Sequence, residues 1–478
     1  MTLSINRKDA PGPSGHLLLG NLPEFQRDVF QLLIDSAQRF GNVVRLRLGP
    51  LVIHLLSHPD HITHVLQDNR QNYQKTTRSD AMISSVIGKG LFTTNGEVWK
   101  ERRRLMQPAF HHDRIASFAH TMTETVTTML RKWGEDAGHA QALDVASEMM
   151  RLTYAIVAKS LFRTDADDDA ATVEGAMAVV LEHTYRRMEK LFTLPEIVPT
   201  PANRRFREAM RTLDRVVYGL IHARRRDETD VGDLLSMLMR TRDEETGQGL
   251  SDQELRDEAI TILSAGHVTT ANVLTRMWSL LSTHPDVERQ LDAELAAVLG
   301  GGTPTLDDIP RLGYTTMVIK EVMRLYPPIW VIERKVVRDD EIEGYHIPAG
   351  SEVAISPYVM HHHPAFWENP EGFDPERFSA ERSASRPRYA YLPFGGGPRL
   401  CIGHQFAMME AQLITAMIAQ TYRLYLIPGF PVDPKPWKTL RPSQGLLMTL
   451  QQKEPHDSDV HKAAHQEGAV IQNRNCSS

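Results

Sequence analysis

The sequence predicts a mainly α-helical protein with small β-sheet regions, and three observations support this fold class. From about residue 60 onward, most of the chain has the apolar spacing of helices, interrupted at glycine and proline clusters. A hairpin pattern lies between residues 43 and 56, and a second sheet-rich segment runs from Val336 to Ile355. The chain has 478 residues, 41% of them hydrophobic and 24% charged, which is an ordinary globular composition.

Composition also excludes several classes of protein. The balance of apolar and charged residues argues against disorder, a fibre or a disulfide scaffold, and a net charge of -6 gives no reason to expect a nucleic-acid partner. Two cysteines rule out a disulfide framework and fit a reducing cytoplasm. The first residues contain no apolar run long enough for a signal peptide or a membrane span. We therefore expect a soluble, cytoplasmic protein without a membrane anchor.

The first elements follow from local periodicity. The spacing predicts a helix from about residue 25 to residue 40, followed by two strands at residues 43–48 and 51–56. In the first strand, Arg45 and Arg47 alternate with apolar residues, which is typical of a sheet with one exposed face. A glycine and a proline between the strands form the turn.

Two later segments stand out. A long helical pattern runs from about Asp252 to His284, although Gly266, His267 and the two threonines that follow are poor helix formers. From about Lys453 the chain is polar and histidine-rich with little apolar patterning, so we expect residues 453–478 to be a disordered tail.

The stretch that carries the chemistry is Phe394-Gly-Gly-Gly-Pro-Arg-Leu-Cys-Ile-Gly403. Its glycines allow the backbone to approach a flat, bulky group, and the N–H groups around Gly403 can point at the Cys401 sulfur. An apolar helical pattern follows, so the positive end of a helix dipole lies near the sulfur. The alternative is a buried structural cysteine in a glycine-rich turn.

This pattern resembles the haem-ligand loop of the cytochrome P-450 superfamily, in its soluble bacterial type. The resemblance implies a single-domain cytochrome P-450 fold over residues 1–452, with a long central helix over the haem. It also implies haem b as cofactor and Cys401 as the thiolate ligand of the iron. By the same resemblance, Arg399 pairs with a haem propionate, and Phe394 and Gly403 lie beside the sulfur.

Three further residues are assigned to cofactor binding by the resemblance. Trp99 and Arg103 lie four residues apart, hence on one helix face, and match propionate partners. Arg334 matches another propionate-binding arginine. The remaining cations of this helix, which are Lys100, Arg102 and Arg104, would form a basic patch that steers an acidic electron donor. The alternative is a solvated basic helix.

A structural network is expected behind the cysteine loop. Glu321 and Arg324 are placed at i and i+3 on one helix face, and Arg377 lies in a later Pro-Glu-Arg-Phe segment. In the family these three residues form a buried, charge-assisted network. Taken alone, the first two could equally be an exposed ion pair.

The segment Ala265-Gly266-His-Val-Thr-Thr270 matches the part of the central helix that crosses the haem. By resemblance Thr269 bonds the iron-bound oxygen and relays protons, with Thr270 beside it and Ala265 and Gly266 against the haem. The alternative is a bond from Thr269 to its own i−4 carbonyl. The family usually has an acid just before this threonine, and here it is Val268. Protons would then travel through Thr270, His267, ordered water or a substrate hydroxyl.

Apolar segments are expected to line the substrate pocket, because the same regions do so in the family. They suit a lipophilic small molecule such as a fatty acyl chain, terpenoid or polyketide. The candidate pocket residues are Ile87, Val268, Ile329, Val331 and Leu446.

The function implied is a haem-thiolate monooxygenase that inserts one oxygen atom of O2 into a C–H or C=C bond. Because no segment after residue 452 could form a flavin domain, electrons are expected from NAD(P)H through a ferredoxin (or flavodoxin) and its reductase. Val268 keeps open a peroxide-driven peroxygenase or a redox-neutral enzyme. A non-catalytic haem sensor is a third possibility.

Overall fold

The computed structural model describes residues 8–136, 142–162, 167–188, 194–227, 232–242, 247–432 and 445–453. These residues are mostly helical with small sheets, which confirms the predicted fold class. Of the expected tail, residues 454–478 lie outside the described residues, whereas the Lys453 ammonium is tied to Asp292 at 2.6 Å.

In chain order, the α-helices of the described residues are α1 (Leu22–Phe40), α2 (Pro59–Thr63), α3 (Arg78–Ile87), α4 (Gly96–Met106), α5 (His112–Ala116), α6 (Ala119–Asp136), α7 (Val145–Phe162), α8 (Asp167–Met188), α9 (Pro201–Asp227), α10 (Leu234–Arg240), α11 (Asp252–Thr283), α12 (Pro285–Leu299), α13 (Gly313–Leu325), α14 (Pro357–His361), α15 (Ala380–Ser383) and α16 (His404–Thr421). The strands are β1 (Val43–Leu48), β2 (Leu51–Leu56), β3 (Tyr73–Gln74), β4 (Leu143–Asp144), β5 (Ile332–Val336), β6 (Asp340–Ile342), β7 (Tyr345–Ile347), β8 (Glu352–Ile355), β9 (Tyr422–Leu426) and β10 (Leu447–Gln452).

The strands form three small sheets. A five-stranded sheet has the order β1-β2-β8-β5-β3, a three-stranded sheet has the order β4-β10-β9, and β6 pairs with β7. The predicted hairpin is present, with Leu48 opposite Leu51 across a two-residue turn. Arg45 is exposed while Val44 and Leu46 are buried, so the alternation in the sequence corresponds to the two faces of the sheet.

The long helix α11 begins at a capping box, in which Ser251 and Glu254 each bond the backbone N–H of the other. It is buried along most of its length against α7, α9, α13 and α16. Gly266 allows the close approach of α7, because a Cβ there would lie 3.1 Å from a methyl of Val157. Thr153 of α7 donates to the His267 carbonyl at 3.0 Å, which fixes the two helices at this level.

Apolar packing divides into one large core and two smaller clusters. The large core joins the helices from α3 to α16, and the two smaller ones lie around the five-stranded sheet. Within the described ranges, none of the helices combines the length and the apolar character needed to cross a membrane.

Candidate functional site

The loop that carries Cys401 connects a short turn at Gly397–Arg399 to the start of α16. The Cys401 N–H donates to the Phe394 carbonyl at 3.0 Å and closes the loop. Cys401 is exposed on one side, and the surrounding protein removes the rest of the thiol from water. This burial raises the pKa of the thiol above its ordinary value, whereas the Gly403 N–H and the Arg103 guanidinium act to lower it. One backbone donor and one cation therefore stabilise the thiolate form.

The glycines before the cysteine are required by packing against the protein itself. Gly395 and Gly397 have φ of 73° and 63°, which favours glycine. A Cβ on Gly396 would lie 2.3 Å from the Tyr389 ring, and one on Gly397 would lie 2.2 Å from the Leu66 carbonyl oxygen. At Gly396 and Gly397 the protein itself therefore already excludes a side chain.

Helix α4 contributes two of the expected cofactor residues. Arg103 donates to the Leu400 carbonyl at 2.9 Å, next to the cysteine. The Arg399 guanidinium lies 4.4 Å from the centre of the Trp99 ring, a cation–π contact. The structure therefore brings Trp99, Arg103 and Arg399 together with Cys401.

Arg334 and Arg399 occupy a buried cationic region. Arg399 donates to the Thr94 carbonyl at 2.9 Å and to the Asn95 side chain at 3.0 Å. Arg334 donates to the Glu333 carbonyl at 2.7 Å. Burial lowers the pKa of each guanidinium to about 10, and for Arg399 the charge of Arg334 contributes to this shift.

A third cation, Lys75, adds to this region. Its ammonium lies 3.6 Å from Asp80, yet burial, together with the charges of Arg334 and Arg399, lowers its pKa to about 7. Burial and the repulsion among these cations thus outweigh the attraction of Asp80 and, for Arg334, of Glu333. These cations fit the two propionate carboxylates of a haem, and the Cys401 thiol fits the haem iron.

Arg102 does not belong to an exposed basic patch, so that expectation is wrong. It is 6% exposed and bonds Glu254 at 2.5 Å, with Glu258 at 3.7 Å, because its side chain is directed at α11. Lys100 and Arg104 are exposed, as expected. They border a surface cavity of about 700 Å³. The cavity is lined by Trp99, Lys100, Arg103, Arg104, Gln107, Pro108, His111, Asp113 and Arg114.

The central helix presents Ala265 and Thr269 on its accessible side, since residues at i and i+4 share a face. The Thr269 hydroxyl donates to the Ala265 carbonyl at 2.9 Å, and the Thr270 hydroxyl donates to the Gly266 carbonyl at 3.2 Å. Thr269 thus has the bond to its own helix that was its alternative interpretation, and Thr270 makes the equivalent bond. Thr270 is buried, so of the two threonines only Thr269 is accessible.

His267 packs into the protein. Its ring is buried edge-to-face against Tyr154, with ring centres 5.5 Å apart, and Nδ1 contacts the Leu263 carbonyl. These contacts direct the imidazole towards α7 and away from the accessible face that carries Thr269.

The five candidate pocket residues are not all neighbours. Ile87, Val268 and Leu446 are buried in the large helical core. Val331 packs instead against the cluster around α1, and Ile329 is 45% exposed.

Glu410 is a residue that the sequence analysis missed. It lies on α16, is completely buried, and burial raises its pKa well above the ordinary range. Among the described residues, no donor has hydrogen-bond geometry to its oxygens, although Thr270 is close enough to lower the pKa. Burial therefore favours the protonated form of this carboxyl. In the sequence, the only indication of this buried acid is that Glu410 interrupts the apolar pattern after the cysteine.

Two acids of α11 hold the loop between α3 and α4. The Lys89 N–H donates to Asp257 at 2.8 Å, and the Leu91 N–H donates to Glu258 at 3.0 Å. Gly88 has φ of 82°, and a Cβ there would lie 2.2 Å from the Asp257 carboxylate. This loop leads directly into α4, so the two carboxylates help to place Trp99.

The Glu258 contact should make stability depend on pH. Burial raises the pKa of this carboxyl from 4.5 to about 7, so the folded protein holds a proton that the unfolded chain releases between those values. Stability contributed by this group therefore falls as pH rises from 4.5 to 7. The free energy of unfolding of Glu258→Gln minus that of the parent should therefore rise by about 1–3 kcal/mol between pH 5 and pH 8. Urea unfolding at the two pH values measures this difference.

The matched control for this prediction is Glu254→Gln. Burial alone would raise the pKa of Glu254, but hydrogen bonds from Ser251 and the charge of Arg102 outweigh it and lower the pKa. Its substitution should therefore cost stability at pH 8 and little at low pH, the opposite slope. A difference between parent and Glu258→Gln that is the same at both pH values would contradict the assignment.

Behind the cysteine loop, Glu321 lies between two arginines. Its carboxylate accepts two bonds from Arg324, each 2.7 Å, and one from Arg377 at 3.3 Å. The Asp374 N–H donates to the same carboxylate at 3.0 Å. The three charged side chains are at most 4% exposed, so one buried carboxylate is paired with two buried guanidinium groups.

Comparison with known proteins identifies the family. The cytochrome P-450 family model matches residues 10–450. Cyclooctatin synthase of Streptomyces melanosporofaciens is 39% identical over 90% of this chain and 92% of its own. Cyclooctat-9-en-7-ol 5-monooxygenase of the same organism is 37% identical, covering 87% and 90%. Pentalenene oxygenase of Streptomyces avermitilis is 32% identical, covering 88% and 93%.

Solved structures agree with the sequence relatives. A retinoic-acid-bound cyanobacterial cytochrome of this type aligns with a TM-score of 0.80 at 26% identity, covering 94% of this chain and all of its own. The haem domain of cytochrome P-450DA aligns with a TM-score of 0.84 at 28% identity, covering 94% and 99%. On the family match, the relatives and the shared fold, this chain belongs to the cytochrome P-450 family.

Proposed function

We propose that this haem-thiolate monooxygenase oxidises a cyclic terpenoid, at a C–H or C=C bond, with dioxygen and with electrons delivered by separate proteins. The observation that carries the substrate class is the set of relatives. Two of them, which align over most of their length, are named for oxygenating cyclooctat-9-en-7-ol and pentalenene. Neither name contains a carboxylate or an amine, so a matching pocket needs apolar walls more than a charged partner.

The residues around the proposed pocket support a lipophilic substrate. Ala265 and Thr269 form the accessible face of α11, and neither side chain is charged. Ile87 and Val268 belong to the large apolar core into which α11 is packed. Removing an apolar molecule from water into such walls is favourable at about 25 cal/mol per Å² of buried apolar area.

We assign the cofactor to the cationic region and the cysteine described above. Cys401 would hold the iron through its sulfur, with the Gly403 N–H and Arg103 stabilising the thiolate. Arg334 and Arg399 would pair with the two propionates, and Trp99 would support Arg399. When bound, the haem supplies activation of O2, one atom of which enters the substrate while the other leaves as water after uptake of two electrons and two protons.

Thr269 is the residue we assign to proton handling on the accessible face. Its hydroxyl donates to the Ala265 carbonyl at 2.9 Å, which leaves its oxygen lone pairs free to accept a proton-bearing partner. Val268 cannot hold a proton, so the acid that is usual in the family is missing at that position. Thr270 is buried beside Glu410 and offers a second hydroxyl on the protein side of the helix.

Thr269→Ala should divert electrons from product to peroxide while leaving substrate binding nearly unchanged. The loss of one hydrogen bond that acts in the reacting state lowers rates by about 10²–10³ in comparable sites. The measurement is product formed per NADPH consumed, together with peroxide release. Thr283→Ala, which removes another threonine bonded to a carbonyl of the same helix, should have no effect on either quantity.

A companion variant tests the missing acid. Val268→Glu should improve coupling if proton supply limits the parent, and should weaken substrate binding if the new charge only adds polarity to apolar surroundings. Unchanged coupling in Thr269→Ala would show that this threonine serves the helix alone.

For electron delivery we propose an acidic ferredoxin, or a flavodoxin, with its reductase and NAD(P)H. The support is the exposed cations Lys100, Arg104 and Arg114 around the 700 Å³ surface cavity. Arg103 reaches from this cavity to the Leu400 carbonyl, one residue before the cysteine. A positive surface this close to the thiolate suits the approach of an acidic donor.

The decisive experiment is reconstitution with a set of cyclic terpene hydrocarbons and alcohols. Substrate-induced shifts of the Soret band select the binders, and mass spectrometry then identifies an added oxygen atom in the presence of ferredoxin, reductase and NADPH. Turnover with hydrogen peroxide alone, and none with the redox proteins, would favour the peroxygenase. Failure of every terpenoid alongside oxidation of fatty acids would overturn the substrate class.

A further inference from the structure

His361 is the last residue of α14 and is completely buried between α13 and the segment that leads into the cysteine loop. Its Nε2 accepts the backbone N–H of Leu392 at 2.9 Å. Its Nδ1 lies 3.2 Å from the carbonyl oxygen of Arg324. The ring therefore bridges the helix that carries Glu321 and the chain two residues before Phe394.

The partners of the ring determine its protonation. A backbone N–H can only donate, so Nε2 must be without a hydrogen. A carbonyl can only accept, so Nδ1 carries the hydrogen and donates to Arg324. Burial lowers the pKa of the imidazole well below 6.5, which keeps the ring neutral and preserves this tautomer.

The bond to Leu392 continues into the loop through backbone contacts. The Leu392 carbonyl accepts the Gly395 N–H at 3.0 Å, and the Phe394 carbonyl accepts the Cys401 N–H at 3.0 Å. The Arg324 side chain completes the connection by donating to the His361 carbonyl at 2.9 Å. A series of hydrogen bonds thus joins the buried charge network to the cysteine loop.

Two neighbouring hydrogen bonds also hold the segment before Leu392, but neither provides an acceptor for the Leu392 N–H. The Tyr391 hydroxyl donates to the Lys320 carbonyl at 3.0 Å, and the Trp367 indole N–H donates to the Ala390 carbonyl at 3.3 Å. The Tyr391 ring also lies 5.1 Å from the His361 ring. Removal of the imidazole acceptor would leave the Leu392 N–H buried and unpaired while these contacts remain.

We infer that His361 is a positioning residue for the ligand loop: its neutral ring, through Nε2, fixes Leu392 and thereby holds Cys401 in the thiolate geometry. The inference rests on the proposed role of Cys401 as haem ligand, and it is independent of the terpenoid substrate. It predicts that weakening the Nε2 contact changes the ligand state of the iron before it changes the fold.

The test compares side chains that reproduce one ring nitrogen at a time. His361→Gln can place an oxygen acceptor where Nε2 lies, whereas His361→Asn can only reproduce the Nδ1 donor. His362→Asn is the matched control, because His362 is 6% exposed and its Nδ1 contacts the Tyr358 carbonyl at 2.8 Å, away from the loop. The three proteins are purified with haem and compared with the parent.

In His361→Asn, the ratio of thiol-ligated to thiolate-ligated reduced carbon-monoxide complex should rise about tenfold, which corresponds to ~1.4 kcal/mol. The ferric/ferrous midpoint potential should rise with it, since a weaker thiolate stabilises the ferric state less. Exchange of the Leu392 amide hydrogen should be about tenfold faster by the same free energy. His361→Gln should lie close to the parent in all three measurements.

Parent-like spectra, potential and exchange in His361→Asn would overturn the inference. Equal damage in His361→Gln and His361→Asn would also overturn it, because the ring volume rather than the acceptor would then matter. If the parent itself showed no thiolate band, the assignment of Cys401 would fail instead. The amide exchange of Leu392, which reports the Nε2 contact directly, would still decide whether His361 holds the segment.

Discussion

Replacing Cys401 by serine should remove the strongly red-shifted Soret band of the reduced carbon-monoxide complex and reduce monooxygenase turnover to background. A serine hydroxyl does not ionise at neutral pH, and it lacks the soft, electron-rich sulfur that favours O–O cleavage. The Gly403 N–H and the Arg103 guanidinium, which stabilise a thiolate, would then face a neutral oxygen. The spectrum of the dithionite-reduced protein under carbon monoxide is the measurement.

The chain supplies a matched control for this substitution. Its other cysteine is Cys476, so Cys476→Ser removes one thiol of the same chemical type at a distant sequence position. That variant should keep the band and the turnover of the parent. A Cys401→Ser protein with an unchanged band would show that another residue binds the iron.

Features set by local sequence were predictable. The hairpin at residues 43–56 follows from strict alternation and a glycine–proline turn, and the structure has both strands at the predicted bounds. The long helix begins at the predicted residue, where Ser251 caps it. It ends within one residue of its predicted C-terminus, because its apolar pattern stops before Pro285. Local signals of this kind need no knowledge of the rest of the fold.

Features set by contacts between distant segments were not predictable. Arg102 looked like one of three exposed cations, but Glu254 and Glu258, about 150 residues later, pair with it in the interior. The role of Gly396 depends on Tyr389, whose ring occupies the place of a Cβ.

The missed polar residues share the same cause. Glu410 and His361 each lie in ordinary-looking helical sequence, and only the fold reveals that they are completely buried. A buried carboxyl or imidazole acts through the partners that tertiary structure brings to it. For Thr269, by contrast, the bond to the i−4 carbonyl is local, and the sequence predicted it as the alternative.

Arg377→Ala should be the substitution most damaging to stability. The arginine is 4% exposed and donates from Nε to Glu321 at 3.3 Å, from one terminal nitrogen to the Asn369 carbonyl at 2.8 Å, and from the other to the Glu368 carbonyl. Its removal leaves those carbonyls without this donor and withdraws one of the two cations that pair with Glu321. Breaking a buried charge network by removing one partner costs roughly 3–5 kcal/mol.

The damage should extend to haem binding, because Glu321 also accepts the Asp374 N–H and so ties this segment to α13. Arg382→Ala is the matched control: Arg382 bonds Asp374 at 2.8 Å, but its side chain is 41% exposed, so its loss should cost less than about 1 kcal/mol. Haem content per polypeptide and urea unfolding of the purified proteins measure both effects. A haem-loaded Arg377→Ala protein as stable as Arg382→Ala would show that the charges of Glu321 and Arg324 suffice without the third member, and that the segment around Asp374 is held by its backbone contacts alone.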